Sequence, residues 1–207
     1  EGYEPPAEIP PLSPADRWIL ARTQSLIERA TELFRAYDYA AARSEVESFF
    51  WQDLADNYIE MAKLRLYEEG HAGRAGARFA LHQVLQAVVK LLAPILPYVT
   101  EEVYQGLWPQ HEGGSVHRST WPCPDERLRD GPAQAAGEVL VAIATAVRRY
   151  KSEQNLPLGS PVARLHLACT EPALAETLQQ ACADLSSITR AQEVLVAGQA
   201  NPDAVTL

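Results

Sequence analysis

The stretch FFWQDLADNYIEMAKLRLY, Phe49 to Tyr67, sets Asp53, Asp56 and Glu60 among a run of aromatic rings. Carboxylates on one helical face are what di-metal bundle enzymes require, but those enzymes add Glu-x-x-His pairs that point into the core. At 100° per residue, Phe50, Trp51, Leu54, Ala55, Tyr58, Met61 and Ala62 share an arc of about 140°, a broad apolar face. Asp53, Asp56 and Glu60 fall in a separate arc of about 60° with no histidine among them. The spacing therefore predicts a solvated or partner-facing acidic stripe, with Glu60 paired to Lys63, and not a metal centre. The five histidines (His71, His82, His111, His117, His166) are scattered and form no HExxH. There is no GxSxG nucleophile elbow, no Walker A loop and no GxGxxG, so no catalytic residue and no metal ligand is assigned. One dense basic cluster remains, in VRRYKSEQNLPLGSP. Arg148, Arg149 and Lys151 close a helix there, where cations either complement the helix dipole or contact phosphate, with Tyr150 beside them for stacking.

The charge balance bears on that choice. The net charge is −9, with 13 Lys/Arg against 20 Asp/Glu in residues 1–130 and 5 against 7 in residues 131–207. A nucleic-acid-binding domain usually carries a basic surplus, so any such contact must come from local patches or from partner domains. An apolar content of 47% with 22% charged residues predicts a globular chain with a substantial core. No run of eighteen apolar residues is present to span a membrane. The proline-rich, acidic start lacks both Met and the pattern of a signal peptide, which suggests an excised piece of a longer protein. Three cysteines without CxxC spacing argue against disulfides or zinc and for a reducing, cytoplasmic setting.

The elements that must carry these residues read clearly in the first 130 positions. Ser13-Pro14-Ala15-Asp16 is a helix start, with Ser13 as cap and Asp16 three residues on. Apolar residues at Ile19, Leu26, Ile27, Ala30, Leu33 and Phe34 continue that helix to a break near Asp38. A second, longer helix covers about Tyr39 to Glu69 and ends in the glycines of EEGHAGRAGAR. A third runs from about Arg78 to Leu92 and stops before Pro94. A fourth opens in PYVTEEVYQGLW, with Thr100 as cap and Glu101 and Glu102 in its first turn. SVHRSTWPCPDERLRDGP is irregular, with a short extended piece at Val116–Ser119, and reads as a boundary. A fifth helix, AQAAGEVLVAIATAVRRYKSEQ, then leads to a strand at Val162–Ala168, a helix at Pro172–Ala183 and a strand at Glu193–Ala197. The fold class is thus mainly α, an antiparallel helical bundle (1–130) followed by a small α/β unit (131–207).

Several of these segments together resemble a known family. SPADRWILARTQSLIERATELFRAYDYAAARSEVESFFWQDLADNYIEMAKLRLY, LLAPILPYVTEEVYQGLW and SVHRSTWP are similar, in order and spacing, to the anticodon-binding helical bundle of class I aminoacyl-tRNA synthetases for branched aliphatic amino acids. Asp16 to Leu20 match the start of that bundle, Phe50, Trp51, Asp53, Asp56 and Tyr58 its long aromatic helix, and Pro94, Pro97, Glu101 and Glu102 its LxPxxPxxxEE turn. VRRYKSEQNLPLGSP, Phe49-Phe50-Trp51 and Ser115-Val116-His117 resemble the valyl enzymes in particular. The likeness covers about Leu12 to Val196.

The resemblance implies a fragment that helps to hold the anticodon stem-loop of tRNA(Val) for ATP-dependent attachment of valine. The His-Ile-Gly-His and Lys-Met-Ser-Lys-Ser signatures and the editing domain are absent from the chain, so chemistry, ATP and Mg are expected only in a parent catalytic body of the same polypeptide. In the family a helix rich in Asn, Lys and Trp precedes Asp16, and many valyl enzymes end in a coiled-coil arm. Neither is in this sequence. The expected phosphate contacts are Lys63, Arg65, Arg148, Arg149 and Lys151, although Lys63 and Arg65 also suit the C-terminal dipole of their helix. The acidic charge keeps open a different function, a helical adaptor derived from a synthetase that no longer binds tRNA.

Overall fold

The structure is a computed structural model and describes residues 3–109 and 113–198. Helix α1 (Pro14–Arg35) begins in the expected capping box. The Asp16 amide donates to Ser13 Oγ (3.3 Å) and the Ser13 amide donates to Asp16 Oδ2 (3.0 Å), satisfying two donors that a helix start leaves open. The helix buries Trp18, Ile19, Leu26, Ile27, Ala30 and Leu33. It closes with Tyr37 in the left-handed conformation (φ 60°), and Asp38 caps α2 (Tyr39–Ser48) by accepting the Ala41 amide.

The long second helix is continuous as expected, but its middle is not α-helical. Between α2 and α3 (Glu60–Tyr67), residues Phe49–Ile59 form a π-helix. Bonding from i to i+5 aligns residues five apart, which changes the buried face. Phe49 aligns with Leu54, and both are buried. Trp51 aligns with exposed Asp56 and is itself 62% exposed, so it leaves the apolar face the 100° wheel gave it. Leu54, Tyr58, Met61 and Ala62 are core, as the periodicity predicted.

Helix α4 (Arg74–Leu92) starts four residues before the expected Arg78. Gly76 permits this, because a Cβ there would lie 2.4 Å from the Pro11 carbonyl oxygen. Helix α5 (Pro97–Leu107) begins at its proline, which moves Thr100 inside the helix. Thr100 does not cap; its hydroxyl donates back to the Leu96 and Pro97 carbonyls (2.8 and 3.2 Å). Glu101, expected to serve the first turn, instead accepts from Ser115 Oγ and the Val116 amide. Desolvation pushes its carboxyl up, but a bond from Gln105 together with those from Ser115 and Val116 outweighs this and holds it below the usual range. The Ser115 and Val116 bonds also fold Val116–Arg118 into a 3-10 turn, where an extended piece was expected.

Helix α6 (Gly131–Glu153) crosses α1 at Gly137, whose missing Cβ makes room for Trp18. Strand β1 (Val162–Ala168) pairs in parallel with β2 (Ala191–Ala197), placing His166 opposite Leu195. Two helices, α7 (Pro172–Gln180) and α8 (Cys182–Thr189), make the crossover, where the sequence pattern predicted one. A parallel pair needs a crossover of a dozen or more residues, which this supplies. The class is mainly α with a small α/β unit. One apolar cluster contains Trp18 and Tyr58 together with Leu140, Leu178 and Leu185, so the core runs without a gap across residue 130.

Candidate nucleic-acid interface

Two of the five cations expected to meet phosphate are interior. Arg65 is 2% exposed and sits between two buried carboxylates. Its Nη1 and Nη2 donate to the two oxygens of Asp16 (2.8 and 2.9 Å), its Nε donates to Asp184 Oδ1 (2.7 Å), and Nη1 also reaches the Gly73 carbonyl (3.2 Å). Tyr58 Oη donates to Asp16 Oδ1 (2.8 Å) and Ser13 Oγ to Asp184 Oδ2 (3.0 Å). Burial draws the Arg65 pKa down, but its bonds to Asp16 and the charge of Asp184 outweigh this and hold it above the ordinary value. Burial pushes Asp184 up to about 6 against the pull of Arg65, and lifts the Tyr58 phenol well above its usual range. A buried charge persists only when paired and hydrogen-bonded, and this cluster meets that condition. Arg65 therefore joins α1, α3 and α8 and presents no donor to a phosphate.

Lys151 is likewise corrected. It is 2% exposed, and its Nζ donates to the carbonyls of Leu158 and Thr189, both at 2.9 Å. Burial first, and the charge of Arg190 second, lower its pKa. It ties α6 to the following loop and to the end of α8.

The other three expected residues reach the surface, on two different edges. Lys63 is about one-third exposed and pairs with Glu60 Oε1. Arg148 bridges elements, with Nη1 and Nη2 donating to Asn57 Oδ1 (3.1 Å each) and Nη2 also to the Asp56 carbonyl (2.5 Å). It lies against the π-helix about one turn before Glu60, the partner of Lys63. Arg149 points elsewhere: it pairs with Glu153 at 2.8 Å and is 79% exposed. It edges an open groove of about 850 Å³ floored by Trp18, Val141 and Ala146 and walled by the Arg22–Asp53 pair. Tyr150 lines the same groove as Arg149, which Arg148 does not line.

Residues 16–167 match the family described as the anticodon-binding domain of tRNA ligase. This chain belongs to that family. It is 42% identical to a valine–tRNA ligase from Methanopyrus kandleri over 89% of its own length. It is 38% identical to valine–tRNA ligases from Thermococcus kodakarensis, over 83% of its length, and Bacillus licheniformis, over 81%. It spans about a fifth of each of these relatives (20%, 19% and 19%). The likeness to the valyl enzymes read from the sequence is thereby borne out.

In this anticodon-binding domain, sequence reasoning missed three residues around the expected site. The sequence marks Asp16 as a capping residue and as part of the bundle entry, not as an ion-pair partner, and does not single out Asp184. Nothing local marks either as the partner of Arg65, since the contacts span 49 and 119 positions. Arg190 was also missed. It follows α8 in the left-handed conformation, 3.8 Å from Glu60 Oε2. A bulky side chain at positive φ is the signal that could have drawn attention, and it is invisible before the backbone is known. Among the described residues, no group of three His, Cys, Asp or Glu side chains is placed to hold a metal ion. No helix among them is long and apolar enough to cross a membrane.

Proposed function

We propose that the chain is the anticodon-stem-loop-binding part of a valine–tRNA ligase, whose remaining length would carry the ATP-dependent attachment of valine to tRNA(Val). The observation that carries this reading is the likeness to valine–tRNA ligases over nearly nine-tenths of the chain, within the anticodon-binding family. The part played here is recognition without chemistry. Phosphate contacts hold the stem, while stacking and edge contacts read unpaired loop bases. Lys63, Arg148 and Arg149 are the phosphate-facing candidates that stay at the surface, and Tyr150 offers a ring face. Because the chain carries net charge −9, affinity rests on few contacts and falls steeply with salt.

The test is fluorescence anisotropy of labelled tRNA(Val) transcript against the purified chain over a salt series. Binding at low salt, weakened by Arg149→Ala and by Lys63→Ala, is the expected result. A transcript with a changed anticodon should bind less well. The acidic charge favours a second reading, a helical adaptor without tRNA affinity. An absence of binding at low salt, together with a stable protein partner recovered from its host, would establish the adaptor instead.

A further inference from the structure

We infer that Arg190 is a phosphate-contacting residue of the RNA-binding face, completing a cationic spot that Lys63 and Arg148 begin. This rests on the tRNA-binding reading above and names a residue that the reading does not otherwise include.

Arg190 occupies the position after α8 with φ 61° and ψ 27°. Glycine or asparagine normally takes such a position, because an L side chain there crowds its own backbone. Its neighbours give it no alternative. Thr189 and Ala191 are buried, the Thr189 carbonyl accepts from Lys151, and Ser186 Oγ donates to the Ala191 carbonyl at 2.6 Å. The Arg190 carbonyl accepts the Val162 amide at 3.0 Å, where β1 joins β2. The turn is set by the packing around it, and glycine would satisfy it more easily than arginine.

The arginine side chain does little for the fold. It is 48% exposed, and its guanidinium makes no hydrogen bond among the described residues. Its nearest carboxylate is Glu60 at 3.8 Å, and the other oxygen of Glu60 already pairs with Lys63. Such an exposed, ill-aligned pair contributes little to stability. What the side chain does supply is charge at one place. Lys63 from α3, Arg148 from α6 and Arg190 after α8 converge on the junction of the π-helix and α3. Lys63 and Arg190 share the single Glu60 carboxylate there, and Arg148 meets only neutral acceptors, the Asp56 carbonyl and Asn57 Oδ1. After burial, the nearby charge of Arg190 adds to the lowering of the Lys151 pKa, so the two cations lie close. On a chain of net charge −9 this is a local reversal of sign. A planar guanidinium with open donors suits bidentate contact with a phosphodiester.

The test compares Arg190→Gly, Arg190→Gln and the unchanged chain in binding to tRNA(Val) transcript across a salt series, with thermal unfolding of each. The glycine variant is expected to be as stable as the parent chain or more so. It should bind roughly tenfold more weakly at low salt, as for one lost charged hydrogen-bonding partner. Its plot of log K against log salt should flatten by about 0.7 to 0.9, one phosphate contact. The glutamine variant should show the same loss of affinity and slope with an unchanged melting temperature. Unaltered affinity and slope in the glutamine variant overturn the inference, as does a fall in stability that accounts for weakened binding in both variants. If the unchanged chain itself fails to bind at low salt, the tRNA-binding reading falls and this inference falls with it. If the chain binds and only the Arg190 variants match it, the reading stands and the inference alone is lost.

Discussion

At the residue scale, the Asp16–Arg65–Asp184 cluster governs how the protein responds to charge removal and to pH. Arg65→Ala strands two buried carboxylates without their cation, and we expect a loss of about 3–5 kcal/mol in chemical denaturation. Asp184 has the opposite sign from the familiar salt-bridged aspartate. Its folded pKa of about 6 exceeds the unfolded value near 3.9, so between these limits the native state holds the extra proton. The contribution of Asp184 to stability is therefore greatest below about pH 4 and is lost as pH rises through about 6. Asp184→Asn removes this titration while its amide oxygen can still accept from Arg65 Nε. Stability curves of the two chains should differ in slope between about pH 4 and 6, and run parallel from pH 7 upward. Parallel curves throughout would show that Asp184 is ionised across the range.

At the element scale, the π-helix and the α1–α6 crossing make the sharpest demands. The π register buries Phe49, which is outside the α-helical apolar arc, and exposes Trp51, which that arc includes. Phe49→Ala should cost about 3–5 kcal/mol, as for a buried aromatic, while Trp51→Ala should change stability by no more than about 0.5 kcal/mol. Equal costs would mean that the segment adopts the α register in solution. At the crossing, a methyl group on Gly137 would lie 2.0 Å from the Trp18 ring. We expect Gly137→Ala to destabilise by at least about 1–3 kcal/mol, the ordinary range for overpacking, measurable by thermal unfolding. Trp18 fluorescence should shift with it.

At the scale of the whole molecule, the α/β unit is fastened to the bundle by α6 on α1, by α8 on α3 and by the Arg65 cluster. The continuous core predicts one cooperative unfolding transition, coincident by circular dichroism and by tryptophan fluorescence. Two separated transitions would instead divide the chain near residue 130. This union also sets the proposed RNA-binding face. Lys63 lies on the bundle side of that boundary, Arg148 and Arg190 on the other, and the Arg65–Asp184 pair holds α8 and α3 in register. Loosening the pair is expected to weaken RNA binding without touching any surface cation.

The amino-acid sequence alone determined the capping box at Ser13, the places of α1, of the long second helix, of α4 to α6 and of both strands, the break at Gly70 and Gly73 and the family of the fold. Each of these depends on residues within a turn or two of one another, or on the order of such signals along the chain. Tertiary structure decided the rest. Arg65 and Lys63 are two positions apart on one helix and equally basic, yet one is a buried strut and the other a surface charge, because α8 arrives with Asp184 over only one of them. Arg148 and Arg149 are adjacent, yet one reaches Asn57 and the other a groove beside Trp18. Which cations stay free to meet a polyanion depends on what packs over them from 38 to 119 positions away, and no local pattern encodes that.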